Sequence, residues 1–175
     1  MKYIFTFLAL CALSQVRAQL YDNMWVFKNA DSLFFIDFRE NPPYINQKDN
    51  YLELHTAKSV FCDKDGSLLY YTNCIQINNQ IDSLLDNGSN LNPGYYANEN
   101  NIPVFNAGFF LPAPNDSTRC YFIYMYPEHF SGAPPLSVKV YYALLDMTAN
   151  NGFGKVIEKN VPLLSGGLYL NYNHA

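Results

Sequence analysis

The sequence predicts an all-β fold, and three observations lead to that expectation. The chain of 175 residues contains 15 tyrosines and 13 phenylalanines, which favour pleated, half-buried surfaces. Ten prolines, nine glycines and many asparagines interrupt it at short intervals, as the turns between short strands require. The chain shows no convincing amphipathic helix, since Ile81–Leu85 has helical spacing for barely one turn. Short strands separated by turns are therefore expected along the chain.

The first 18 residues predict an export signal. Lys2 gives a positive start, Tyr3–Leu13 forms an apolar core, and small residues precede the expected cleavage between Ala18 and Gln19. This core is too short to span a bilayer as a helix, which takes about 20 residues. The mature chain is therefore expected to be residues 19–175, secreted and without membrane insertion.

The mature chain is acidic and low in charge. Removal of the signal takes away Lys2 and Arg17, so nine basic residues face 15 acidic ones, a net charge of −6. Charged residues make up 15% of the whole chain, against about 25% in an average domain. An acidic surface without a Lys/Arg cluster repels phosphate groups, so neither nucleic acid nor anionic lipid is an expected partner.

The predicted strands follow one another with turn chemistry between them. Pro42-Pro43 interrupts the pattern after the first two strands, because proline cannot donate to a central ladder. The strongest signal is a hairpin from Ser59 to Cys74, with Gly66 free to adopt a positive φ in its turn. The Asn-rich segment Asn87–Asn101 predicts an excursion instead of a core element. The other expected strands are Met24–Phe27, Leu33–Phe38, Phe109–Leu111, Cys120–Tyr126, Val138–Leu145 and one starting at Val156.

The hairpin is expected to have two apolar faces. Pairing Cys62 with Ser67 across a four-residue loop places Phe61 opposite Leu68, and apolar side chains then point to both sides. Such a hairpin belongs between two covering layers. The continuous apolar run Cys120–Tyr126 likewise predicts a strand that is buried on both sides.

Cysteine placement suggests one disulfide in an oxidising compartment. A bond between Cys62 and Cys74 is disfavoured, because about 23 Å of strand separates Cys74 from the position opposite Cys62. Cys74 and Cys120 are the better candidate pair. Cys11 lies within the signal, and its acylation is disfavoured by Leu10, which stands where a small residue is wanted.

Five short motifs occur in order along the chain. They are WxF with a following PP, then DKDGSLLYYTN, LNPG, LPAPNDS and LLDMTANNGFGKV, found at Trp25–Phe27 with Pro42-Pro43, Asp63–Asn73, Leu91–Gly94, Leu111–Ser117 and Leu144–Val156. In this order they resemble the N-terminal, β-propeller-like region of large secreted proteins of Gram-negative bacteria that use the type IX secretion system. Proteins of that family usually end in a sorting domain or a gliding-motility-associated C-terminal domain.

The resemblance implies that residues 19–175 form β-propeller-like blades of antiparallel sheet. A blade takes about 40 to 50 residues in four strands, and a ring takes at least about four blades. Because Asn87–Asn101 contributes no strand, about two blades plus edges are expected. An incomplete, truncated propeller is therefore the expectation, and a small open sandwich that stands alone is the alternative.

The resemblance and the export signal together imply a non-catalytic module for adhesion or protein interaction, part of a larger secreted protein. Its place would be extracellular or at the outer cell surface of a Gram-negative bacterium, and its partner a protein or glycan there. The alternative is a carbohydrate-binding or polysaccharide-degrading secreted protein. Tyr95, Tyr96, Tyr169 and Tyr172 are the candidate side chains for stacking on sugars or gripping a partner.

The sequence contains no constellation that predicts catalysis, a metal or a cofactor. His55, His129 and His174 have none of the spacings of metal-ligand pairs. Asp63–Gly66 lacks the twelve-residue calcium pattern with its closing glutamate, and Ser165–Gly167 is more simply a turn than a nucleophile. Carboxylate pairs for glycoside cleavage meet only in space, so the sequence leaves that alternative open.

Overall fold

The structure is a computed structural model. It describes residues 20–29, 32–49, 52–54, 57–99, 102–104, 106–128, 137–164 and 168–169. Within these ranges the strands form three antiparallel sheets, none of them closed, and no helix is longer than four residues. The all-β expectation is confirmed. The predicted cleavage site between Ala18 and Gln19 lies outside the described residues. In the part of the chain that the structure covers, no helix has the length and apolarity to cross a membrane.

Each sheet is assembled from strands that are consecutive in the sequence. The first sheet has the order β1-β2-β3, with strands Met24–Asn29, Ser32–Asp37 and Tyr44–Asp49. The second has the order β4-β5-β6, with strands Ser59–Cys62, Leu68–Thr72 and Ile77–Asn79. The third has the order β7-β8-β9-β10, with strands Gly108–Ala113, Asp116–Pro127, Ser137–Asp146 and Lys155–Pro162, and β11, Leu168–Tyr169, also pairs with β9. Because β4 contacts both β1 and β7, the first strands of the three sheets lie side by side.

The second sheet lies between the other two and takes part in two hydrophobic clusters. Phe61 and Tyr70 point into the cluster shared with the third sheet, whereas Cys62 and Tyr71 point into the cluster shared with the first. Successive side chains of a strand point to opposite faces, so one hairpin serves both layers. The expectation that this hairpin sits between two covering layers is confirmed.

The predicted register of the hairpin is wrong by one residue at Cys62 and by two residues at Phe61, which pairs with Tyr70 instead of Leu68. Leu68 pairs with Cys62 in place of Ser67, and a β-bulge separates the pairs formed by Phe61 and Cys62. The loop is longer than expected because the N–H of Asp63 donates to the carbonyl of Ser67 at 2.8 Å, and the Asp63 carboxylate accepts the N–H of Ser67 at 2.9 Å. These bonds complete a five-residue turn before the ladder begins.

The Asn-rich excursion contains little regular structure but is packed onto the core. Its only helical turn is α1, Tyr95–Asn98, among the residues described there. Leu91 is fully buried, and Asn92 donates its side-chain amide to the carbonyl of Cys74 at 2.9 Å. Lys159 of β10 donates to two carbonyls of the segment. Side-chain hydrogen bonds and burial thus hold the segment in place of a strand ladder. The prediction that this segment is not part of the core is corrected.

The strand Cys120–Tyr126 is buried on one face, not on both. Cys120, Phe122 and Tyr124 lie in the cluster shared with the second sheet. Tyr121 and Ile123 alternate with them and remain half-exposed. The third sheet has a packed layer on one side only among the described residues, which explains why the expected double burial is wrong.

Candidate binding groove

A groove follows the three first strands, β1, β4 and β7, where they lie side by side. Its lining includes exposed aromatic side chains from the two end sheets and a polar contribution from the chain next to β4. The lining residues with the most exposed side chains or with charge are Asp22, Trp25, Phe27, Lys58, Asn106 and Phe109. Large apolar side chains rarely stay exposed together on a protein that has no partner.

The aromatic side chains of β1 are exposed because of strand alternation. Met24 and Val26 enter the cluster shared with the second sheet, so Trp25 and Phe27 point to the opposite face. Trp25 is 55% exposed, and its ring centroid lies 5.2 Å from that of Phe38. The ammonium of Lys58 lies 5.9 Å from the centroid of the Phe27 ring, a cation–π contact at the groove.

The same alternation exposes Phe109 of β7 on the other side of the groove. Phe110 is buried against Phe122, with ring centroids 4.6 Å apart, whereas Phe109 is 49% exposed. Gly108 precedes them at a position where a Cβ would stand 2.5 Å from the Phe122 ring. Glycine is therefore required there for β7 to approach the core closely.

The exposed aromatics of the groove belong to two larger apolar faces. The first outer face is the side of the first sheet turned away from the second sheet, and its apolar side chains are Trp25, Phe27, Phe34, Ile36, Phe38 and Ile45. The third outer face is the corresponding side of the third sheet, and its apolar side chains are Phe109, Leu111, Tyr121, Ile123, Tyr142 and Leu144. Both faces also carry charged side chains, which the strand registers place there: Asp49 on the first, and Arg119, Asp146 and Glu158 on the third.

Asp37 and Arg39 form an ion pair near the groove. Asp37 accepts two bonds from the Nε of Arg39, which holds the pKa of this carboxyl below its usual value. Arg39 also donates to the hydroxyl of Ser67 at 2.9 Å, so the ion pair ties the first sheet to the hairpin turn. Over the described ranges, the structure brings no three His, Cys, Asp or Glu side chains together as metal ligands. His55, His129 and His174 lie outside those ranges.

The predicted disulfide is not formed in the structure, where Cys62, Cys74 and Cys120 are buried free thiols. The sulfur of Cys74 would be 3.1 Å from a Cβ on Gly108, whose β8 partner is Tyr124. Cys120 precedes Tyr124 by four residues on β8, which corresponds to about 13 Å of strand at 3.3 Å per residue. Burial raises the pKa of Cys62 to about 11 and that of Cys74 to about 12, so both stay protonated at neutral pH.

Of the tyrosines predicted as binding candidates, Tyr95 and Tyr96 do not line this groove. Tyr95 is 51% exposed and lies edge-on to Tyr96, next to a small cavity on another part of the surface. Tyr169 is described only as a backbone partner of Ser137, and Tyr172 lies outside the described residues. The aromatic side chains of the groove were not predicted from the sequence. The unbroken apolar run at Met24–Phe27 could have indicated them, because a strand without polar alternation has two apolar faces.

Comparisons with models of protein families, with curated proteins and with solved structures found no significant match.

Proposed function

We propose that the chain is a non-catalytic, extracellular or cell-surface module for adhesion or protein interaction, built as a partial β-propeller and part of a larger secreted protein. The observation that carries this proposal is the groove of exposed aromatic side chains along β1, β4 and β7. In a propeller, sheets of consecutive strands surround a central channel. The side-by-side placement of the three first strands supports that arrangement.

The chemistry of the groove suits binding better than reaction. Trp25, Phe27 and Phe109 offer large rigid surfaces whose desolvation stabilises a complex, and aromatic residues are enriched at the energetic centres of interfaces. The one lysine at the groove, Lys58, lies over an aromatic ring. An acidic net charge of −4 for the whole chain disfavours nucleic acid, so a protein or glycan partner at the bacterial surface fits best.

A second candidate function is carbohydrate binding. Sugar rings present apolar C–H faces and hydroxyl edges, and the groove pairs flat rings at Trp25 and Phe27 with polar side chains at Lys58 and Asn106. Ligand sites commonly combine aromatic walls with a few polar groups in this way. The groove therefore favours a bound glycan over polysaccharide cleavage within this alternative.

The test uses labelled residues 19–175 on a glycan array and on cells of the producing bacterium, before and after protease treatment. Protease-sensitive, saturable cell binding identifies a protein partner, and consistent saturable binding to one glycan class identifies a glycan. Trp25→Ala should weaken either form of binding at least tenfold, since it removes the most exposed groove ring. Tyr44→Ala is the matched control, because Tyr44 is 59% exposed and lies outside the groove lining. Absence of saturable binding in both assays would refute the proposal.

A further inference from the structure

We propose that the groove binds an extended segment of a partner polypeptide, which pairs with β7 as an added strand of the third sheet. The surface that carries this inference is the unpaired edge of β7, which lines the groove together with the edges of β1 and β4. The inference rests on the proposed function and adds the chemistry of the partner: a protein chain bound through its backbone and through alternate side chains.

All three strands along the groove are edge strands. Among the described residues, β1 pairs only with β2, β4 only with β5, and β7 only with β8. An edge strand presents backbone N–H and carbonyl groups that no neighbouring strand satisfies, and it is therefore a template for pairing with another chain. The groove thus offers strand edges as well as aromatic side chains.

The hydrogen bonds of β7 show which of its backbone groups face the groove. The N–H of Met125 donates to the carbonyl of Ala107 at 2.6 Å, and the register places Phe109 in the same phase, bonded to β8. In an antiparallel ladder, the intervening residues point their backbone groups away from the partner strand. Those residues are Gly108 and Phe110, and both line the groove. In the part of the chain that the structure describes, their N–H and carbonyl groups make no other backbone hydrogen bond.

The edges of β1 and β4 are already partly occupied. The N–H of Cys62 on β4 donates to the carbonyl of Tyr21 at 3.2 Å, and the N–H of Met24 on β1 donates to the sulfur of Cys62. On β7, Pro112 is the next residue that points away from β8, and proline has no N–H to offer. The edge of β7 is therefore the most open of the three, and its donors end before Pro112.

The side chains at this edge favour an uncharged or basic segment with large apolar residues at alternate positions. A residue opposite Phe109 forms a cross-strand pair with its exposed ring, with Cβ atoms about 5 Å apart. The net charge of −4 disfavours an acidic segment. The backbone groups of an edge repeat at every second residue, a spacing that another extended polypeptide matches with its own backbone. The regular edge therefore favours a polypeptide over a glycan in the groove.

A phage-displayed library of short random peptides, selected on residues 19–175, supplies the probe for the test. A selected peptide should bind saturably, and Phe109→Ala should weaken its binding at least tenfold because the variant lacks the ring beside the added strand. Phe153→Ala is the matched control, since Phe153 is 37% exposed and lies outside the groove lining. Circular dichroism checks that both variants keep the fold. A library without a saturable binder, or equal effects of the two variants, would overturn the proposal.

Strand pairing itself is tested by N-methylation of the selected peptide and by amide hydrogen exchange. Methyl groups on alternate peptide nitrogens should abolish binding, whereas methyl groups on the intervening nitrogens should be tolerated. The bound peptide should slow exchange at the N–H groups of Gly108 and Phe110 and leave that of Phe109 unchanged, because Phe109 is already bonded to β8. A binder that lacks either pattern would overturn the proposal.

The outcome for the added strand is distinguishable from the outcome for the proposed function. Saturable binding to glycans or cells that depends on Trp25, without any peptide binding, would overturn the added strand and leave the proposed function standing. Absence of binding to peptides, glycans and cells would refute both.

Discussion

At the residue scale, two buried tyrosines of the same core have opposite hydrogen-bonding situations. The hydroxyl of Tyr124 donates to the side-chain oxygen of Asn160 and accepts the Asn160 N–H, both at 2.7 Å. The hydroxyl of Tyr70 is buried and has no hydrogen-bond partner among the described residues. Burial raises the pKa of both phenols, so both remain neutral and differ only in their bonds.

Tyr124→Phe should therefore destabilise the fold, and Tyr70→Phe should not. Loss of the Tyr124 hydroxyl leaves the Asn160 N–H without its acceptor, at a cost of about 1 to 3 kcal/mol in the free energy of unfolding. Removal of the Tyr70 hydroxyl takes away an unsatisfied polar group, so stability should stay the same or rise. Urea unfolding of the two variants measures the contrast, and equal losses would contradict it.

Gly152 and Gly154 lie in the same turn with similar backbone angles, but a Cβ would meet different surroundings at the two positions. Gly152 and Gly154 have φ values of 87° and 91°, where other residues are strained. A Cβ on Gly152 would meet nothing within 4 Å, whereas a Cβ on Gly154 would stand 2.3 Å from the hydroxyl of Tyr70. The sequence NNGFG predicts the turn. It does not predict this contact, because Tyr70 belongs to another sheet.

Gly154→Ala should consequently be the more damaging of two otherwise similar substitutions. Gly152→Ala should cost the backbone strain alone, about 1 to 2 kcal/mol. Gly154→Ala adds overpacking against the buried Tyr70 ring, about 1 to 3 kcal/mol more. Thermal unfolding of both variants provides the measurement, and a smaller loss for Gly154→Ala would disprove the close approach.

At the element scale, the strands with apolar patterns were predictable and those held by polar contacts were not. The hairpin of β4 and β5 was expected at its observed place, because its turn residues and apolar runs are local signals. Its register was missed, because the bulge depends on how Asp63 closes the loop. The strand β3, Tyr44–Asp49, was also missed: it is a mostly exposed edge strand without apolar alternation. The groove was missed as well, since it exists only where three sheets meet.

The ion pair at the end of β2 should make stability depend on pH. Arg39 holds the pKa of Asp37 below its ordinary value of 3.8, so the folded protein binds this proton less readily than the unfolded chain. The stability from this carboxylate is therefore fully present above the ordinary value and is lost as the pH falls through the lower folded value. Asp37→Asn should lower stability at pH 7 and reduce its further loss on acidification.

Urea unfolding between pH 7 and pH 2 measures this effect. Arg39→Gln is the second variant, because it removes the partner and leaves the carboxyl in place. It should reduce the loss of stability on acidification in the same way as Asp37→Asn, since the lowered pKa comes first from the bond to Arg39. An unchanged acid profile in both variants would show that the ion pair contributes nothing measurable.

At the scale of the whole molecule, the second sheet couples two clusters that would otherwise be separate. Its strands send neighbouring side chains to opposite layers, Phe61 to one and Cys62 to the other. The sequence showed that this hairpin has two apolar faces. It also predicted two apolar faces for Cys120–Tyr126 of the third sheet, but not that the outer face stays partly exposed, because a partly exposed outer face and a buried one carry the same residue types.

One cooperative unfolding transition should follow from this coupling, and Trp25 makes it measurable. Trp25 is the single tryptophan and belongs to the first sheet, whereas far-ultraviolet circular dichroism reports the strands of all three. The two signals should give the same urea midpoint. Leu33→Ala, which truncates a fully buried side chain in the cluster shared by the first and second sheets, should lower both midpoints together and cost about 2 to 5 kcal/mol. A fluorescence transition that precedes the circular dichroism transition would mean that the first sheet unfolds by itself.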